Sequence, residues 1–393
     1  MSDLSPPLAL YVHLPWCVRK CPYCDFNSYT LRGELPEEAY VQALARDLER
    51  QAPGAAGRTL ASVFFGGGTP SLFAPHSIER ILTHTRSLLP LASDAEITLE
   101  ANPGTIERGR FAEYRGAGVN RVSLGAQSFA PATLALLGRI HSPDETCRAA
   151  EELHACGLAN FNLDLMYALP GQDVAAACAD VAQALALAPA HLSHYQLTIE
   201  AGTVFAGTPP EGLPDEEAAA DMLAPCAAQL AAGGLEQYEI SAWARAGARA
   251  RHNVNYWEFG DYLGIGAGAH GKLTAPDGAI VRTTRPREPR RYLASAQEPA
   301  ATQRVAAREL PFEFMLNALR LTEGFAPQLY EERTGLHWRD LDPMFEGLRR
   351  EGLTAFTRGR WRATAIGARF LNDLLVRFLP TPATAGERLS TAS

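Results

Sequence analysis

Three cysteines crowd into one stretch near the amino terminus, Pro15-Trp16-Cys17-Val18-Arg19-Lys20-Cys21-Pro22-Tyr23-Cys24. Thiolates are soft ligands suited to iron–sulfur clusters, and a C-x3-C-x2-C loop can hold three corners of a [4Fe-4S] cubane while the fourth iron stays open. An open iron accepts a further ligand. The amino and carboxylate groups of S-adenosylmethionine can chelate it, which sets the sulfonium beside the cluster, where one-electron reduction cleaves a carbon–sulfur bond.

Two other readings of these residues compete. Cys21-Pro22-Tyr23-Cys24 alone is also a dithiol motif of the kind that follows a strand at a helix start. Cys17, Cys21 and Cys24 with His13 make four zinc-type ligands. A dithiol needs no third cysteine, and structural zinc sites usually draw ligand pairs from separate segments, so the cluster is the expectation. The other cysteines, Cys147, Cys156, Cys178 and Cys226, are scattered through alanine-rich helical contexts and read as inert core residues.

From Leu8 to about Ile240 a short β-rich apolar run is followed repeatedly by a polar or glycine-rich stop and a helical segment. The expected strands are Leu8 to Leu14, Ala61 to Phe65, Glu96 to Glu100, Arg121 to Gly125, Asn160 to Met166 and His191 to Leu197. Runs such as Val63-Phe64-Phe65 are apolar without alternation, as in strands covered on both faces, and segments such as Glu37 to Glu49 and Asp173 to Leu187 would cover them. Six such units predict an α/β fold, a partial (β/α)6 TIM-type barrel over residues 1–245.

Parallel barrels place ligand sites at the carboxyl ends of their strands. Strand one leads to Cys17, strand two to Gly66-Gly67-Gly68-Thr69-Pro70 and strand three to Glu100-Ala101-Asn102-Pro103. Strand four leads to Gln127 and Ser128, strand five carries Asp164, and strand six carries Gln196, Thr198 and Glu200. Glycines without Cβ let backbone approach the methionine end of a cofactor, Glu100 and Asp164 need a partner such as a ribose or an ammonium, and Arg139 can fork onto a carboxylate.

Residues 246–305 read as a connecting region, with a glycine-rich part from Gly260 to Gly271 and an irregular stretch from Thr274 to Pro299. Residues 306–380 then read as a small, mainly α, winged-helix-like domain. Its expected helices are Glu309 to Leu321, Pro327 to Thr334, Asp340 to Glu351 and Ile366 to Phe378, and its expected strands Leu353 to Phe356 and Trp361 to Thr364. The tail, residues 381–393, is rich in Thr, Ala and Ser and is expected to be disordered. A formal net charge of -8 opposes a phosphate-neutralising surface, so nucleic acid is not an expected partner. Only Lys20 and Lys272 are lysines. The polar Met1 to Pro7 segment has no signal-peptide pattern and no apolar run is long enough to span a bilayer, so a cytoplasmic protein is expected.

The cluster loop, the GGGTP run, Glu100-Ala101-Asn102-Pro103, Gly125-Ala126-Gln127-Ser128-Phe129, Leu137-Gly138-Arg139, Asn162-Leu163-Asp164-Leu165-Met166-Tyr167 and Leu169-Pro170-Gly171-Gln172 together resemble the HemN/HemW group of the radical SAM superfamily. That group comprises oxygen-independent coproporphyrinogen III oxidases and relatives that act as haem chaperones, and the resemblance runs from about residue 8 to about residue 375. The oxidase branch has a further cysteine two positions after the third ligand, where Phe26 stands here, and a long N-terminal arm where only a few residues precede strand one. His252-Asn253-Val254-Asn255-Tyr256-Trp257 resembles the HNxxYW motif of the chaperone branch. The resemblance thus implies a carrier that binds haem and hands it to acceptor haemoproteins, membrane-associated ones included, with cluster and S-adenosylmethionine governing binding or dimerisation. The alternative is radical decarboxylation of porphyrin propionates to vinyl groups. It also implies that Tyr11, Tyr23, Gly68, Thr69, Glu100, Gln127, Arg139 and Asp164 contact S-adenosylmethionine and that His252 belongs to the haem site.

Overall fold

The computed structural model describes residues 5–55, 57–104 and 109–380, so the tail 381–393 lies outside the described residues. Six parallel strands follow one another in space as in sequence: β1 (Leu8–Leu14), β2 (Leu60–Gly67), β3 (Leu91–Ala101), β4 (Arg121–Gln127), β5 (Phe161–Tyr167) and β6 (His191–Gln196). Helices connect them, as the sequence pattern predicts, because parallel neighbours require crossovers. The pleat sorts the side chains of β1: Leu8, Leu10, Val12 and Leu14 join the apolar core that includes Tyr40, Leu44 and Leu48 of helix Glu37–Gln51, while Tyr11 and His13 line a cavity. The register sets Tyr11 beside Phe64, Phe64 beside Thr98, Thr98 beside Arg121 and Asp164 beside Ser193. Apart from Phe64, this inward row is polar.

The sheet does not stop at six strands. β7 (Glu236–Glu239) and β8 (Ala242–Ala244) extend it antiparallel beyond β6. On the other side β9 (Asp261–Ile265) runs parallel to β1, followed by antiparallel β10 (His270–Thr274), β11 (Ile280–Thr284) and β12 (Ala301–Arg304). The expectation of an irregular stretch from Thr274 to Pro299 therefore needs correction, since it holds β11 and the helix Pro289–Ser295. Glycine hid the strand signal upstream. A Cβ on Gly264 would lie 1.8 Å from the carbonyl oxygen of His270, so only glycine lets β9 and β10 approach this closely.

A second apolar core lies in the C-terminal segment, where Phe314, Phe325, Phe345 and Trp361 meet edge to face or tilted at centroid distances of 5.1–5.9 Å. Phe259 reaches Phe314 at 5.7 Å and ties this core to the end of the helix Arg251–Trp257. The expected helices and two-stranded wing are present, with β13 (Thr354–Thr357) antiparallel to β14 (Arg360–Ala363). The expected single helix from Ile366 to Phe378 is instead two, Ala365–Arg369 and Leu371–Val376, because Phe370 leaves helical geometry at φ -109° and ψ 38°. Among the described residues no helix is long and apolar enough to cross a membrane. Of the scattered cysteines Cys226 is buried in the core and the partly buried Cys156 and Cys178 pack against it, as expected, whereas Cys147 is partly exposed.

β9 and β10 are fastened by one buried carboxylate. Asp261 receives Arg58 at 2.8 Å, Lys272 at 2.9 Å and the amide of Thr274 at 2.9 Å. Lys272 is 2% exposed and also sits over the Phe259 ring at 4.3 Å. Removing the carboxylate strands the ammonium in an apolar setting. Asp261→Ala is therefore expected to cost about 3–5 kcal/mol in urea denaturation, and a loss below about 1 kcal/mol would show that the lysine finds water or another partner.

Candidate functional site

The cysteine loop leaves β1 and returns as a short parallel pairing in which Trp16 sits beside Tyr29 and Cys17 beside Thr30. The amide of Cys24 donates to the carbonyl of Cys21 at 3.2 Å, and Lys20 Nζ staples the loop by donating to the carbonyls of Phe26 and Ser28 at 3.0 and 3.1 Å. Cys21 to Cys24 lie in a turn and not at a helix start, unlike the dithiol arrangement. His13 is committed elsewhere: Nδ1 bonds the Tyr11 hydroxyl at 2.7 Å and Nε2 the Asn27 carbonyl at 2.9 Å, which removes it from a zinc set. Among the described residues no group of three His, Cys, Asp or Glu side chains closes on a single ion. A cubane makes no such demand, because each thiolate meets its own iron.

All three thiols border one cavity of about 570 Å³ at the carboxyl ends of the strands. Burial pushes the Cys17 thiol up to about 11 and raises that of Cys24, so metal loading must displace protons from them. Arg139 lies across the cavity. Its Nη1 is 3.7 Å from Cys21 Sγ, its Nη2 donates to Asn102 Oδ1 at 2.5 Å and to the Gly125 carbonyl at 2.6 Å, and its buried Nε has no partner. It has no carboxylate partner among the described residues, so a ligand carboxylate would complete it.

Opposite the arginine the same cavity is acidic. Glu100 accepts the Gly67 amide at 3.0 Å, and burial together with the charge of Asp164 pushes its carboxyl up to about 8. Asp164 accepts Asn162 at 2.7 Å and Ser123 at 3.2 Å, yet burial still raises its pKa. Gly68 passes so close to the loop that a Cβ would fall 2.5 Å from the Trp16 carbonyl oxygen, and the next amide, of Thr69, donates to that oxygen at 2.8 Å. Gln127 holds φ of 69°, in the left-handed region, and its Oε1 accepts the Tyr195 hydroxyl at 2.6 Å. Tyr23, Gly68, Thr69, Glu100, Gln127, Arg139 and Asp164 thus share this cavity with Cys17, Cys21 and Cys24. Tyr11 does not, and Ser128 turns away to Asp180 at 2.8 Å. Asn102, two residues after Glu100, and Ser193 and Tyr195 also line this cavity, though the sequence pattern alone assigns them no role; the period-two spacing of Ser193 and Tyr195 on β6 is the signal that exposes them.

The donor set fits the expected groups. Three thiols on one mouth, an incompletely partnered buried guanidinium and two buried carboxylates suit a thiolate-held cluster beside a zwitterionic, cationic cofactor.

A second cavity of about 870 Å³ adjoins the first, and Phe26, Phe64, Gly67, Glu100, His252 and Asn253 line both. Its walls include Tyr11, Tyr256, Trp257 and Tyr262. Tyr256 meets Tyr262 edge to face at 4.7 Å, and Tyr11 stacks on Phe64 at 6.0 Å. His252 also stacks on Phe64, 4.1 Å between ring centroids, and is 5% exposed. Its Nδ1 is 2.7 Å from Glu96, which also accepts the amides of Arg251 and His252 at 2.9 and 3.3 Å. Burial alone would raise Glu96, but His252 and Arg121 bring it down to about 2. Burial holds His252 below its ordinary value despite Glu96. A neutral imidazole beside an ionised carboxylate must donate from Nδ1, which leaves the lone pair on Nε2. Sequence reasoning missed Glu96, an inward residue of β3 with no local motif. His270, Arg282 and Arg287 complete the rim; burial and these two arginines hold His270 below the usual imidazole value.

Residues 11–179 match the Radical SAM superfamily and residues 305–370 the HemN C-terminal domain. The chain is 48% identical over 379 residues to a protein of Escherichia coli K12 named "Heme chaperone HemW", covering 95% of this chain and 98% of that one. It is 36% identical over 404 residues to the mouse mitochondrial "Radical S-adenosyl methionine domain-containing protein 1", covering 96% and 89%. In fold it is similar to the coproporphyrinogen III oxidase HemN of Escherichia coli, with a TM-score of 0.79, 23% identity and coverage of 95% and 90%.

Glu100 gives this site a stability signature in the ligand-free protein. With a folded pKa of about 8 against an ordinary 4.5, the folded chain holds a proton that the unfolded chain releases first, so stability is full below pH 4.5 and is lost as pH rises toward 8. Glu100→Gln removes that loss. The variant is expected to gain on the wild type between those limits in chemical denaturation, with the gap level above them; a gap independent of pH would mean that Glu100 is ionised throughout.

Proposed function

From the premise that the chain belongs to the HemW family of the radical SAM superfamily, we propose that it is a cytoplasmic haem chaperone, a carrier that binds haem and passes it to acceptor haemoproteins. The observation that supports this best is the aromatic-walled cavity of about 870 Å³, which lies within the usual size range of ligand sites. Tyr11, Phe64, Tyr256 and Trp257 offer faces for a flat apolar macrocycle. His252 forms the wall toward the neighbouring cavity, its ring set by Glu96.

In the adjoining cavity Cys17, Cys21 and Cys24 would hold a [4Fe-4S] cluster whose open iron supplies a chelation point for S-adenosylmethionine. Arg139 would take the cofactor carboxylate, Glu100 and Asp164 the ribose hydroxyls or ammonium, and the Gly67–Thr69 backbone would lie along the methionine end. Tyr23 and Gln127 would close its sides, Gln127 anchored by Tyr195. Tyr11, one cavity away, would meet haem before it meets this cofactor. The shared wall supports a role for the loaded cofactor site in setting haem affinity.

Anaerobic reconstitution should load about four iron and four sulfide per chain, and Cys21→Ser should abolish that loading. The loaded protein, titrated with haem and given coproporphyrinogen III, S-adenosylmethionine and reductant in parallel, is expected to bind haem without forming vinyl product. Product over many turnovers would replace the carrier with the oxidase. His252→Ala should weaken haem binding roughly tenfold while the cluster absorbance stays intact, and an unchanged titration would remove His252 from the site.

A further inference from the structure

Three imidazoles line the haem cavity; His13 has both ring nitrogens engaged, by the Tyr11 hydroxyl and the Asn27 carbonyl, and the other two are in opposite circumstances. His252 is walled in, stacked on Phe64 and tied to Glu96. His270 opens β10 at the cavity rim and is exposed, and its ring has no hydrogen bond to any described residue. The register explains where it points. Lys272 pairs with both Tyr262 and Arg282, so these three share one face of the sheet, and His270, two residues before Lys272, stands on that same face. The face is a wall of the cavity.

The charges around His270 differ from those around His252. Arg282 and Arg287 both act on it. Arg282 is already paired with Glu313, whereas Arg287 is exposed and has no carboxylate partner among the described residues. Haem is an apolar disc with two propionates at one edge and an iron that takes neutral imidazole. Aromatic faces inside, an imidazole at the lip and an unpaired guanidinium beside it match that distribution, because propionates stay near water while the disc is buried.

On the carrier reading above, we propose that His270 is the axial ligand of the haem iron and that Arg287 pairs with a propionate, while His252 shapes the inner wall. A ligand at the rim also suits a carrier, since it can be exchanged for an acceptor's ligand without opening the core.

Cluster-loaded full-length protein, titrated with haem and followed at the Soret band, tests this. His270→Ala should shift the band and weaken binding by about tenfold or more, and added imidazole should restore the wild-type band. His270→Gln should behave as His270→Ala, which separates lost ligation from lost side-chain volume. Arg287→Ala should leave the band in place, weaken binding and flatten its salt dependence. An unchanged band in both His270 variants, or a ligation shift on His252→Ala instead, overturns the assignment while the carrier reading stands. Wild-type protein that binds no haem fails the carrier reading, and the ligand assignment with it.

Discussion

The carboxylate of Glu96 is the constraint on which the arrangement of both cavities depends. It is one of the inward residues of β3, buried at 6% exposure, and it takes both starting amides of helix Arg251–Trp257, the His252 ring and the charge of Arg121. An unpaired charge at this depth would be prohibitive, so strand, helix and arginine have to assemble together. Without that anchor the short helix would have no fixed start and the HNxxYW residues no fixed direction. The helix in turn places His252 against Phe64 and Tyr256 against Tyr262, and so defines the partition between the cavities.

The cavity bordered by the three thiols shows how a polar interior is kept stable without a ligand. Burial disfavours charge on both Glu100 and Asp164, and the charge of Asp164 adds to the pressure on Glu100 to keep its proton. Across the space Arg139 keeps its charge with carbonyl and amide oxygens only. Each group is partly satisfied and none fully. A zwitterion with its own carboxylate, ammonium and hydroxyls supplies the missing partners at once, which is a physical reason for high selectivity over ligands that carry only one of them.

Much of this was legible in the sequence because it is local. A cysteine loop, a glycine run and strand-end residues each occupy a few consecutive positions, and the rule that parallel strands gather ligands at one end converts six separate loops into one site. What escaped was non-local or masked. Glu96 and Tyr195 matter through the pleat, which no short motif records, and Tyr11 falls in the second cavity with its strand neighbour His13, whereas the first cavity is reached only beyond the end of β1, at Cys17. β9 and β10 escaped because their close approach demands glycine at Gly264, and glycine reads as loop. The break at Phe370 left no proline or glycine at that position to mark it.

The partition itself is thin. Phe64 and Gly67 border both cavities, and the Phe64 ring touches both Tyr11 and His252. A ligand on either side that shifts this ring changes the space on the other, and such coupling is felt equally in both directions.

The scarcity of lysine has a practical consequence. Lys272 is sealed inside the sheet by Asp261, so Lys20, exposed and bonded to the carbonyls of Phe26 and Ser28, is the accessible side-chain amine of the chain. Acylating reagents would mark the cysteine turn and little else besides the terminal amine. The rate of that labelling becomes a direct gauge of whether the turn is closed or loose.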